Sequence, residues 1–127
     1  MSVLPALRSL LIGDPGVSAK VGTRVRPLFV RENDTLPAIA YQQVSTASVA
    51  DGSANVRRAV VQFRCVASDA EGAEELADAV ESALRGKSVG SATAPILYVS
   101  LFSRMQDYDA TAMAFSTIVG GVVYFVE

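Results

Sequence analysis

Residues 57–86 read RRAVVQFRCVASDAEGAEELADAVESALRG, and within this stretch the spacing of apolar residues changes period. Up to Ala67 the pattern repeats every second residue. Val61, Phe63, Cys65 and Ala67 fall on one side, and Arg58, Val60, Gln62, Arg64 and Val66 on the other. Successive side chains of a strand point to opposite faces, so this run predicts a β-strand with one buried face. From Ser68 the repeat lengthens. Ala73, Leu76, Ala77, Val80, Ala83 and Leu84 now lie at the spacing of one helical face. Ser68 and Glu71 stand in the spacing of a capping box, and Gly86 marks the stop. A strand running straight into a long amphipathic helix predicts a sheet with that helix on one face. Phe63, Leu76, Val80 and Leu84 should pack together between the two.

Towards the N terminus, Ser2 is a cap for a helix carrying Leu4, Leu7, Leu10 and Leu11 on one face, with Pro5 in the first turn and Gly13 at the end. Asp14, Pro15 and Gly22 then bracket a second, short helical piece. Arg24 to Val30 reads as extended, and Pro27 within it argues for an edge strand. Ala38 to Thr46 alternates Ile39, Tyr41 and Gln43 against Ala40, Gln42 and Val44. Between this strand and the next lies the connector Ala47–Val56, with Asp51-Gly52 as its turn signal. It is longer than a tight hairpin needs, so its tip should project or move.

Beyond the long helix comes the small-residue loop GKSVGSATAP (86–95), which no motif explains. Two long strands follow, ILYVSLFSRMQDY (96–108) and MAFSTIVGGVVYFVE (113–127), with DYDAT (107–111) as the turn between them. Gly120-Gly121 inside the last run predicts a bulge or a close backbone approach. The expected architecture is α+β: a mainly antiparallel sheet of four to five strands, one long helix on one face, and an N-terminal helix. At 127 residues the chain is expected to be a single domain, 1–127.

Composition narrows the chemistry. Half the residues are hydrophobic and 19% are charged, a globular balance. The chain has no histidine and one cysteine, which removes the commonest general base, most zinc sites and any intrachain disulfide. Neither phosphate-loop nor dinucleotide glycine spacing occurs. No apolar run approaches the ~20 residues of a membrane helix, and the opening residues read as a helix and not a signal peptide. Residues 1–64 hold eight Lys/Arg and four acids, net +4; residues 65–127 hold three and nine, net −6. That balance is unsuited to nucleic acid. It suits head-to-tail contact between copies, although folding is expected to dissolve the split. Asp107 and Asp109 flank Tyr108 and are read as turn formers. The acids of the helix are read as a solvated face.

An opening amphipathic helix, DPGVSAKVGTRVRP (14–27), LPAIAYQQVS (36–45), VQFRCVASDAEGAEELADAVESALRG (61–86), a late DYD (107–109) and FSTIVGGVVYFVE (115–127) occur in that order. This layout resembles the tail-completion, or tail-terminator, proteins of long-tailed bacteriophages and phage-derived particles. The resemblance implies a structural virion protein without reaction or cofactor. It implies a hexameric ring at the head-proximal end of the tail, touching the tail-tube protein and a head-side connector. Membrane and sequence-specific nucleic acid are not expected partners. The place implied is the virion tail, reached from the bacterial cytoplasm. Under this reading Asp51, Gly52, Ser53, Asn55, Arg57, Arg58 and Arg64 are the candidate partner-binding residues. Arg58 and Arg64 should face solvent, the lumen or acids of the next subunit, with Glu74, Glu75 and Glu81 as candidates. Two rivals stand beside it: a dimeric α+β module binding a small ligand, and a minor enzyme using Asp107 or Asp109 with Tyr108.

Overall fold

The period change at Ser68 corresponds to a real junction. In the computed structural model, which describes residues 3–30, 34–48, 56–88 and 96–126, β3 (Val56–Ala67) runs into α3 (Ala70–Leu84) across two residues. The cap is Asp69 and not Ser68. The Asp69 carboxylate accepts from the Gly72 N–H at 2.5 Å, satisfying one of the open donors of the first turn. The buried side of α3 is Ala73, Leu76, Ala77, Val80, Ala83 and Leu84, as the spacing predicts. Phe63, Leu76, Val80 and Leu84 are all fully buried in one core.

Before the sheet come α1 (Leu4–Gly13) and α2 (Pro15–Val21). Val3 occupies the cap position of α1 and gives no side-chain bond; Ser2 lies outside the described residues. Asp14 caps α2 through the Val17 N–H, and Gly22 closes it at a φ of 60°. Leu7, Leu11, Val17 and Val21 are buried, and Leu4 and Leu10 pack on the core's flank.

The remaining strands are β1 (Val25–Pro27), β2 (Ala38–Ser48), β4 (Ile96–Asp109) and β5 (Ala114–Val126), in the order β1-β2-β3-β5-β4. β1 pairs in parallel with β2; every other pairing is antiparallel. β1 is shorter than the expected run to Val30. After Pro27 the backbone turns at Leu28, which adopts a φ of 69°. β5, the last strand, lies between β3 and β4, and its near-continuous apolar run fits a strand buried on both faces. β4 carries an extra residue, Phe102, opposite Gly120-Gly121. A side chain on Gly121 would meet the Ser100 carbonyl oxygen at 2.5 Å and Leu101 Cδ2 at 2.7 Å. The glycine pair thus marks a close approach, and the bulge sits on its neighbour.

All three helices lie on one face. α3 covers β3, β5 and part of β4, while α1 and α2 pack on β2, with α1 also reaching β1. The Gly86 N–H, just past α3, donates to the Val99 carbonyl at 3.0 Å and ties the helix end to β4.

Candidate functional site

The opposite face of the sheet carries no helix among the described residues. Register builds it in rows across β3, β5 and β4: Arg58–Tyr124–Tyr98, Val60–Val122–Ser100, Gln62–Gly120–Ser103, Arg64–Ile118–Met105 and Val66–Ser116–Asp107. Tyr98 and Met105 are 50% and 57% exposed. Arg64 reaches diagonally across β5 to Asp107, Nη1 to Oδ2 at 3.4 Å. Both side chains are largely solvated, and such pairs contribute little to stability. Leu28 folds towards this face and, with Ala40, Gln42, Gln62, Arg64 and Ile118, closes a dimple of about 20 Å³.

The arginines expected to act together are therefore separated. Arg58 and Arg64 share the open face, whereas Arg57 alternates onto the helix-bearing side with Ala59. Asp51, Gly52, Ser53 and Asn55 lie outside the described residues, as does most of the connector. The expected strand to Tyr108 and the expected turn 107–111 overlap, and the structure resolves the overlap in favour of the strand. Asp107 and Tyr108 belong to β4, and the turn is residues 110–113. Asp109 does form it, since its carboxylate accepts from the N–H groups of Thr111 and Ala112 at 3.0 and 3.2 Å.

The acids of α3 are not a plain solvated face. Arg104 of β4 reaches Glu74 Oε2 at 2.9 Å and Asp78 Oδ1 at 3.0 Å, and also bonds Glu81. Gln106 Nε2 and Thr117 Oγ1 donate to Glu74 Oε1 at 2.8 and 2.9 Å. These two bonds, then Arg104, hold the Glu74 carboxyl below its ordinary pKa. Burial alone would lower the Arg104 guanidinium, but its bonds to Asp78 and Glu74 outweigh that and hold it above its ordinary value. Glu75 lies 3.8 Å from Lys20 of α2. The acids named as candidate ligands for a neighbouring subunit are thus engaged within their own chain. Helical periodicity gives no sign of Arg104, which is remote in sequence.

A cleft of about 510 Å³ opens between the start of α3 and the end of the β4–β5 hairpin. Ala70, Ala73, Gln106, Tyr108, Phe115 and Thr117 line it. The rings of Tyr108 and Phe115 pack at 4.6 Å.

Cys65 is buried, and burial pushes its thiol up to about 12, so it is inert as a nucleophile. Among the described residues no group of three or more His, Cys, Asp or Glu side chains is placed to hold a metal ion. No described helix is long and apolar enough to cross a membrane. The described residues present an open sheet face and an edge cleft. The sequence matches the family model described as tail completion protein gp17 over residues 5–117, and the chain belongs to that family. It is a structural component of a phage-like virion tail. No curated protein matches the sequence. The fold is similar to that of a chain in the virion of a native gene transfer agent particle. The TM-score is 0.73 at 18% identity, over 95% of this chain and 92% of that one.

Proposed function

We propose that the chain forms a hexameric ring at the head-proximal end of the tail tube. There it ends tube polymerisation and joins the tail to the head-side connector. It acts by contact and not by catalysis, and is made in the bacterial cytoplasm before joining the particle. The observation that carries this reading is the family match, which spans both sheet edges, the helix and the open face. The distribution of charge supports it. β1, β2 and β3 are contiguous in the sheet and come from the half of the chain with net +4. β5, β4 and α3 come from the half with net −6. Folding joins the halves through Lys20–Glu75 and Arg64–Asp107, and the strand order otherwise sets them on different sides of the sheet, which favours contact between unlike edges. Arg58 and Arg64 on the open face, and Asp51, Gly52, Ser53 and Asn55 in the connector, are the proposed contacts to tube, connector or neighbour; Arg57 would contribute from the other side.

Particles assembled without this chain test the reading. Electron microscopy should show overlong tubes, or tails unattached to heads. Tails of normal length joined normally to heads would overturn it. Solution mass discriminates further: six copies fit the ring, whereas two return the dimeric ligand-binding module.

A further inference from the structure

The edge cleft and one apolar protrusion lie at opposite ends of the sheet order. Three polar residues around the cleft already have partners inside the chain. Gln106 and Thr117 donate to Glu74, and Asp107 accepts from the Tyr108 N–H and pairs with Arg64. Beside the Ser116 hydroxyl, what remains for an incoming group is an aromatic wall, Tyr108 and Phe115, with the small side chains of Ala70 and Ala73 opposite. Such a lining suits an apolar side chain better than a polar small molecule.

The protrusion is at β1. Leu28 holds a left-handed backbone that a branched side chain rarely adopts and that persists only where the surroundings enforce it. Here the Leu28 N–H donates to the Tyr41 carbonyl, and the Phe29 N–H to that of Pro27, each at 2.8 Å. The outcome is that Phe29 stands 69% exposed beside the outermost strand. Most other large exposed apolar side chains, Tyr98, Phe102, Met105, Tyr108 and Met113, belong to β4 or its turn, the cleft's own side. Arg8, bonded to the Val25 carbonyl, and Arg24 set positive charge beside β1, whereas Asp107 and Asp109 stand at the end of β4, so the two edges carry unlike charge.

We propose that Phe29 of one copy seats in the Tyr108–Phe115 cleft of the next, a heterologous contact that repeats around a closed ring. This rests on the ring reading and names the side chains that would close it. Ala70, exposed at the rim of the cleft, gives a probe that spares the core. Val30→Cys and Ala70→Cys chains, both keeping Phe29, are purified separately, then mixed and oxidised; Cys65 is buried and does not compete. The mixture should yield disulfide-linked dimer at least about tenfold above either variant alone, because a heterologous contact brings the two unlike positions together. Phe29→Asp should weaken self-association by about tenfold or more, as for a central aromatic anchor, with an unchanged Tm. Both results are required. Self-association of the wild-type chain without the mixed cross-link, or untouched by Phe29→Asp, overturns this contact and leaves the ring standing. A wild-type chain that stays monomeric up to its solubility limit overturns the contact and the ring together.

Discussion

β3 and β4 flank the same strand, β5, yet they are secured by different forces. On β3, Ala59, Val61, Phe63 and Cys65 are fully buried beneath the helices. On β4, burial stops at Leu101, and every residue from Phe102 to Asp109 is exposed. That outer stretch is fastened to α3 by Arg104 and Gln106 reaching the acids of the helix. Apolar burial is non-directional and needs area on both sides. An edge strand has less area to offer, so directional polar bonds take its place. The polar anchoring runs along one flank of α3 and ends at Glu74 and Thr117, and beyond it the cleft stays open.

The contrast can be broken most forcefully on the β3 side. Leu76→Ala removes a fully buried side chain and should cost about 2–5 kcal/mol in chemical denaturation. A loss within ~0.5 kcal/mol, typical of the surface, would show the buried face wrongly assigned. Next in size is Gly121→Ala at the junction of β5 and β4. The added methyl group meets the Ser100 carbonyl, which is backbone and cannot swing away, so a loss of about 1–3 kcal/mol is expected. Unchanged stability there would mean the bulge relaxes freely. Arg104→Met should cost only about 1 kcal/mol, since its partners remain partly solvated. Hydrogen exchange sharpens that test: amides of residues 103–109 should lose protection while those of β3 keep theirs. Equal loss in both strands would mean that the charge network supports the whole sheet.

Acid gives the smallest effect. The folded-state pKa of Glu74 is depressed, so its contribution is fully present above the ordinary carboxylate value of 4.5 and is lost as pH falls through the lowered folded value. Thermal melts across that window should therefore fall less steeply for Glu74→Gln than for wild type. Parallel curves would remove Glu74 from the anchoring of β4.

What the sequence disclosed follows the same division. The period change at Ser68, the stripe on α3 and the inward side of β3 were all legible, because burial leaves a repeating mark on one element. The edge was not. Arg104 lies 23 to 30 residues from the carboxylates of Glu81 and Glu74, and no local pattern reports a bond at that range. Ser68 and Asp69 are both good caps, and only the aim of the Asp69 carboxylate at Gly72 decided between them. Asp107 and Tyr108 read both as a strand end and as turn residues; the Tyr108 ring packs on Phe115, and the strand pairing runs on to Asp109. The place of β5 was also hidden, since its insertion between β3 and β4 depends on partners and not on its own composition. For the site, alternation correctly placed Arg58 and Arg64 on the outward side of β3. It could not show that Arg64 already has Asp107 across the sheet, nor that the hairpin end leaves a cleft.

The bond from the Gly86 N–H to the Val99 carbonyl sets a frame for whatever joins α3 to β4. Because the two ends are fixed by the fold, the intervening segment does not determine where β4 lies. Lengthening it changes closure entropy by only ~0.6 kcal/mol per doubling. A short epitope grafted between residues 88 and 96 should thus leave the helix, the strand and the cleft in register. It would turn the segment into a handle for locating this chain within a whole particle by antibody labelling.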